Sequence, residues 1–174
     1  MKRFIEATNN ALQSKNWYGA VYIALTLPDI CAHIESNDGK TNGDKYVAWF
    51  DRYLKRKYES AIGSAKTIHT FLSGNDCYAL KCAALHEGGS DITSQKRREV
   101  LEKIHFTVDR GAHLNQINSV LQLDLVTFCK DVCESVSEWE NDFRANHPQK
   151  IQRFNTLLQV HAGAHQIIPG VFMK

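Results

Sequence analysis

The chain has 174 residues, of which 21 are Lys or Arg and 19 are Asp or Glu, for a formal charge of +2. So small an excess excludes a protein that coats polyanions by bulk charge, while leaving room for a local basic patch. A hydrophobic fraction of 43% beside 23% charged residues excludes global disorder, and a single domain of this length can bury a core without disulfide or metal staples.

No run approaches the ~18 apolar residues of a membrane span, so no membrane partner is expected. The start, Met1-Lys2-Arg3-Phe4-Ile5-Glu6, is basic but turns polar through Thr8-Asn9-Asn10, which is not the pattern of a signal peptide. The cysteines, Cys31, Cys77, Cys82, Cys129 and Cys133, are odd in number and read as reduced thiols in the cytoplasm.

Helical spacing dominates. Residues 2–15 carry Phe4, Ile5, Ala7, Ala11 and Leu12 on one face. A second helix from about Asn16 carries Trp17, Ala20, Val21, Ala24 and Leu25, and Pro28 is expected to kink or restart it before Ile30, Cys31 and Ile34. Residues 36–43 are turn formers throughout and read as a loop. Asp44 then caps a helix to about Tyr58, with Tyr46, Val47, Phe50, Tyr53 and Leu54 inward. Residues 59–74 read as a loop with a helical turn. Asn75 or Asp76 caps a short helix that Gly88-Gly89 ends, and residues 90–98 read as an exposed linker.

The period then changes. Ile104, Phe106 and Val108 alternate, Asp109-Arg110-Gly111 signals a turn, and Ile117, Ser119, Leu121 and Leu123 alternate again. That pattern predicts an inserted β-hairpin over about 100–123. Helix resumes near Asp124 with Val126, Phe128, Cys129, Val132, Val136 and Trp139 as a core stripe. Pro148 opens a last short helix, and the tail over 161–174 reads as irregular. The whole is expected to form one domain.

The segment from Asp76 to Gly89 carries the most chemistry. His86 falls in the last turn of a helix, where unpaired carbonyls favour an imidazolium. An ordinary histidine titrates near ~6.5, in range for acid or base work. Lys81 lies five positions earlier, about 140° around a straight α-helix.

Lys81-Cys82-Ala83-Ala84-Leu85-His86 resembles the Arg-x(4–6)-His motif of the HEPN superfamily, with Lys81 where the motif has arginine and Cys82 where many active members have a polar residue. The surrounding residues 76–88, with Leu27-Pro28-Asp29-Ile30-Cys31 and Trp49-Phe50-Asp51, are similar to a group of bacterial proteins of uncharacterised function. The resemblance implies a mainly α, HEPN-like helical bundle, here with the small hairpin inserted. It implies a homodimer with the motif at the dimer cleft, and metal-independent RNA cleavage to 2′,3′-cyclic phosphate ends with no cofactor. His86 would be the base and Lys81 the phosphate stabiliser, with Asp29, Asp76 and Glu87 as supporting carboxylates. RNA and an antitoxin or operon partner protein are the partners it implies, in a bacterial defence or toxin setting. The competing reading is a non-catalytic interaction module that keeps these residues for packing and capping.

Other features are weaker. Arg52, Lys55, Arg56 and Lys57, and separately Lys96-Arg97-Arg98, could follow an RNA backbone, although a charge run is more often a solvated face. His161 and His165 have the i, i+4 spacing of helical metal ligands, but Gly163 weakens a helix there and no third ligand is near, so no metal site is expected. Cys77, Cys82, Cys129 and Cys133 lack Cys-x2-Cys spacing and read as buried small hydrophobes. Asp29, after a helix-breaking proline, reads as a first-turn carboxylate, with a role in orienting His86 or Lys81 as the alternative. Neither a phosphate-binding Gly-x4-Gly-Lys loop nor a Gly-x-Ser-x-Gly elbow is present.

Overall fold

The computed structural model describes residues 1–108, 112–161 and 163–173; the expected turn at 109–111 lies outside them. Five α-helices, α1 (Lys2–Gln13), α2 (Trp17–Glu35), α3 (Gly43–Tyr53), α4 (Gly74–Cys82) and α5 (Leu125–Asn146), surround one core. The apolar helix α2 packs on the other four and α5 also meets α1 and α3. Leu25, Leu27, Ile34, Phe50, Phe128, Val136 and Trp139 fill the interior.

Among the described residues seven strands make three small sheets, so the fold is mixed α and β rather than the mainly α, HEPN-like bundle expected. β1 (Glu59–Ile62) and β2 (Thr67–Thr70) form an antiparallel hairpin where a loop was expected. Its residues are mostly exposed, so period-2 burial leaves little mark there.

The expected hairpin over 100–123 is a three-stranded sheet of order β3-β5-β4, with β3 (Lys103–Thr107), β4 (Asn115–Ile117) and β5 (Val120–Asp124). β3 and β5 run parallel, and β4 pairs antiparallel with β5. The hairpin inside it turns at Asn118-Ser119, with Asn118 at φ 54°. Asparagine tolerates that left-handed conformation better than most residues. Ser119 therefore belongs to the turn and not to an alternating strand. The tail, expected to be irregular, pairs β6 (His165–Ile168) with β7 (Val171–Met173).

Several boundaries move for local reasons. α2 runs through Pro28 without a restart, because the lost backbone bond is one among many in a helix with nine buried residues. Asn42, not Asp44, caps α3 by accepting the Lys45 amide hydrogen at 3.0 Å. The helix stops at Tyr53, and residues 55–58 tighten into a 3₁₀ turn. The helix resumes at Leu125, near Asp124 as expected, and Asp124 caps it by accepting from the Thr127 amide at 2.7 Å. The last helical stretch, Pro148–Thr156, is 3₁₀. Residues 90–98 are an anchored loop rather than a linker, since Ile92 is fully buried and its amide donates to the Glu102 carbonyl at 2.8 Å. All five cysteines are free thiols, and Cys31, Cys77, Cys129 and Cys133 are buried. Burial pushes the Cys77 and Cys129 thiols up to about 12.

His113 couples the sheet to α5. Its Nδ1 accepts the Asp124 amide hydrogen at 3.3 Å, and its ring meets Tyr58 edge-on with centroids 5.9 Å apart. Burial holds its pKa below the ordinary histidine value, against the pull of Asp131 and Asp124. A histidine with a depressed folded pKa contributes stability above its unfolded value near ~6.5, and that contribution is lost as pH falls below it. The urea midpoint should therefore drop between about pH 7.5 and about pH 5.5. His113→Asn, which retains an acceptor but no titration, should flatten that slope; the same slope in both proteins would assign the loss elsewhere.

Candidate functional site

α4 begins where Ser73 accepts the Asp76 amide hydrogen at 3.0 Å, so the cap is Ser73 and not Asn75 or Asp76. After Cys82 the α-helix widens into one π turn, Ala83–Glu87. The turn closes at Gly88, which sits in the left-handed region at φ 67°, and the Gly89 amide reaches back to the Ala83 carbonyl at 3.1 Å. Only glycine takes that conformation without strain. A left-handed glycine with such a back bond is a common way for a helix to end.

His86 occupies this π turn and is exposed. A π turn holds more residues per turn than an α turn, so it narrows the separation of about 140° that a straight α-helix would give Lys81 and His86. The imidazole makes no hydrogen bond or ion pair with the described residues, so it is open to a ligand.

Lys81 is engaged differently. Its Nζ lies 2.9 Å from Asp29 Oδ2, and the two side chains are only 15% and 16% exposed. The other Asp29 oxygen accepts the Thr41 hydroxyl at 2.9 Å. Lys81 Nζ also lies 5.0 Å from the centre of the Tyr78 ring. Burial works against the charged amine, but the hydrogen bond and charge of Asp29 hold its pKa above the usual lysine range. Asp29 thus joins α2 to α4 through Lys81. Because α2 does not restart at Pro28, Asp29 lies well inside the helix and is not the first-turn carboxylate expected; the alternative reading had it orienting His86 or Lys81. Tyr78 was legible as the i, i+3 neighbour of Lys81. Thr41 comes from a loop and carries no such signal.

Asp76 is 2% exposed, and its carboxylate accepts the backbone amides of Glu99 at 2.7 Å and Val100 at 3.4 Å. It staples the far end of the 90–100 loop onto α4 instead of facing His86. Glu87 accepts from Gln95 Nε2 at 2.8 Å, which pins the middle of the same loop. The two supporting carboxylates therefore set a loop beside the helix. Between loop and helix runs a groove of about 480 Å³ lined by Tyr78, Ala79, Glu87 and residues 94–97.

The basic run at the end of α3 is not brought to this groove. Arg52 Nη2 donates to both Glu35 carboxylate oxygens at 2.7 and 2.6 Å, and Lys57 reaches Asp131 at 2.9 Å and Glu134 at 2.6 Å. Arg56 pairs with Glu138, and Lys55 lies 3.6 Å from Glu59. Each cation faces a carboxylate, and three of the four tie the α3 end to another segment of the chain. His165 opens a strand, so the i, i+4 spacing from His161 does not fall on a helix. Among the described residues no group of three His, Cys, Asp or Glu side chains is arranged to hold a metal ion, and no helix is long and apolar enough to cross a membrane.

No family model matches the chain, and neither a curated protein nor a solved structure matches it.

Proposed function

We propose that the chain acts on RNA as a metal-independent endoribonuclease whose reactive group is His86. The observation that carries this reading is an exposed, unpartnered imidazole in a π turn, one helical turn beyond a buried-edge ammonium. The local likeness of Lys81 to His86 to the HEPN motif supports the same chemistry, and a second copy facing α4 belongs to the same reading.

The steps balance without a co-reactant. The His86 imidazole takes the proton of a ribose 2′-hydroxyl, and the freed oxygen bonds to the adjacent phosphorus. Positive charge from Lys81 offsets the charge gathering on the phosphorane oxygens. The bond from phosphorus to the 5′-oxygen breaks, and that oxygen takes a proton from an imidazolium, giving a 2′,3′-cyclic phosphate and a 5′-hydroxyl. DNA lacks the attacking hydroxyl and should be left whole.

The test is cleavage of mixed RNA in EDTA, read as cyclic-phosphate ends. His86→Ala should lower the rate about 10²–10⁴-fold, the range for losing a general base. Because the side chain is exposed, stability should move by less than about 0.5 kcal/mol. Equal, negligible cutting by both proteins would remove the enzyme reading. One observation favours a second reading, an interaction module without catalysis: the Lys81 ammonium is already occupied by Asp29 and Tyr78.

A further inference from the structure

The groove beside α4 has the makings of a strand-binding channel. One wall is α4 itself, with Tyr78 half-buried and Ala79 buried at the floor. The other wall is the loop that Glu87 holds at its middle and Asp76 at its far end. Glu87, the residue that follows His86, lines the groove.

Its charge comes from the loop. Lys96 is exposed and makes no ion pair or hydrogen bond with the described residues. Arg97 lies across the Tyr78 ring, with its guanidinium carbon 5.7 Å from the ring centre. Lys81 addresses the same ring at 5.0 Å, so one aromatic ring gathers two cations. Arg97 also contacts Asp44 at 2.7 Å, but that carboxylate is 77% exposed and solvated, which makes the pair weak. Only one terminal nitrogen is used in that contact, and the rest of the planar fork is available. The arginine is seated by an absence: a Cβ on Gly43 would come within 2.5 Å of Arg97 Nε.

We infer that this groove binds the RNA strand on one side of the scissile phosphate, with Arg97, seated on the Tyr78 ring, clamping a backbone phosphate and Lys96 adding a second cation. Guanidinium recognises phosphate oxygens two at a time, which the ammonium of Lys81 cannot do. The sequence pairs Lys81 with His86 where the resembling motif has arginine, and Arg97 brings an arginine back from a separate loop. The Glu87 carboxylate repels phosphate beside it, so the phosphates sit toward Lys96 and Arg97. This inference rests on the proposed action on RNA, but its site is separate from His86.

The experiment measures binding apart from cleavage, with the full chain and a fluorescein-labelled single-stranded 2′-O-methyl RNA that has no free 2′-hydroxyl. Lys96→Ala with Arg97→Ala should weaken binding at least tenfold at about 0.1 M salt and reduce the log–log salt slope by roughly 1.4, two single-strand phosphate contacts. Arg97→Lys should restore part of the affinity but not all. Gly43→Ala keeps every charge and favours helix, yet should weaken binding by displacing the guanidinium. Lys96→Ala removes no contact within the fold, so its share of the slope reads the groove even if an Arg97 variant unfolds. Wild-type affinity and slope in these variants, beside His86-dependent cleavage of ordinary RNA, would overturn the groove and leave the ribonuclease reading standing. Binding that depends on Arg97 and Lys96 without any cleavage would support the groove and remove the ribonuclease. A chain that neither binds nor cuts RNA overturns both.

Discussion

Trp139→Ala should destabilise the protein by about 3–5 kcal/mol, a large part of the roughly 5–15 kcal/mol that holds a domain together. The indole is 1% exposed and sits where α5 crosses the end of α2. It stacks on Phe143 with centroids 5.2 Å apart and meets Phe154 at 6.1 Å. No neighbouring side chain can swing in to fill a hole that size, because these rings also pack on each other, at 5.7 Å. The indole NH donates to Glu35 at 3.3 Å, and the same carboxylate grips Arg52. Trp139→Phe separates the two contributions: it keeps the stack and removes the donor, and should cost nearer 1 kcal/mol because Arg52 still holds Glu35. With an m-value near ~2 kcal/mol per molar urea, the alanine variant should unfold roughly 2 M earlier. A shift under about 0.5 M for alanine would mean that this packing contributes little.

Residues like Trp139 were the most legible in the sequence, because a long amphipathic helix repeats its signal every turn. Phe128, Cys129, Val132, Val136 and Trp139 are all buried as the period predicts, while Val126 yields the inward position to Leu125. The β-structure was legible only where one face is buried. Leu121 and Leu123 face the core and announce β5, whereas β1 and β2 lie in the open and look like loop. Strand direction was not readable at all, since alternation is the same for parallel and antiparallel partners. At the site, helix spacing could place Lys81, His86 and Tyr78 on one element. It could not foresee the π turn, because a widened turn depends on how Gly88 closes the helix, and not on side-chain period. It offered Asp29 as a group orienting His86 or Lys81 only as the alternative to a first-turn carboxylate, and it could not show that Asp76 serves the 90–100 loop.

The Asp29–Lys81 pair decides between the enzyme and the module. Asp29→Ala should cost about 3 kcal/mol, because it strands a mostly covered ammonium without its counter-charge. Lys81→Met should cost less, about 1 kcal/mol, since Asp29 keeps the Thr41 hydroxyl and methionine refills the space over Tyr78. Because the two groups touch, the costs will not add: Asp29→Ala combined with Lys81→Met should sit well above the Asp29→Ala protein in thermal and urea stability, close to Lys81→Met alone, with a coupling of about 3 kcal/mol. That recovered fold is the useful reagent. In it the ammonium is gone while His86, Tyr78, Arg97 and Lys96 are untouched. If Lys81 offsets charge on the phosphorane, RNA cleavage should stay down about 10²-fold or more despite the restored stability. Cleavage returning to the wild-type rate with the stability would show that the ion pair only fastens α2 to α4, and that the charge for the phosphate comes from the Arg97 loop.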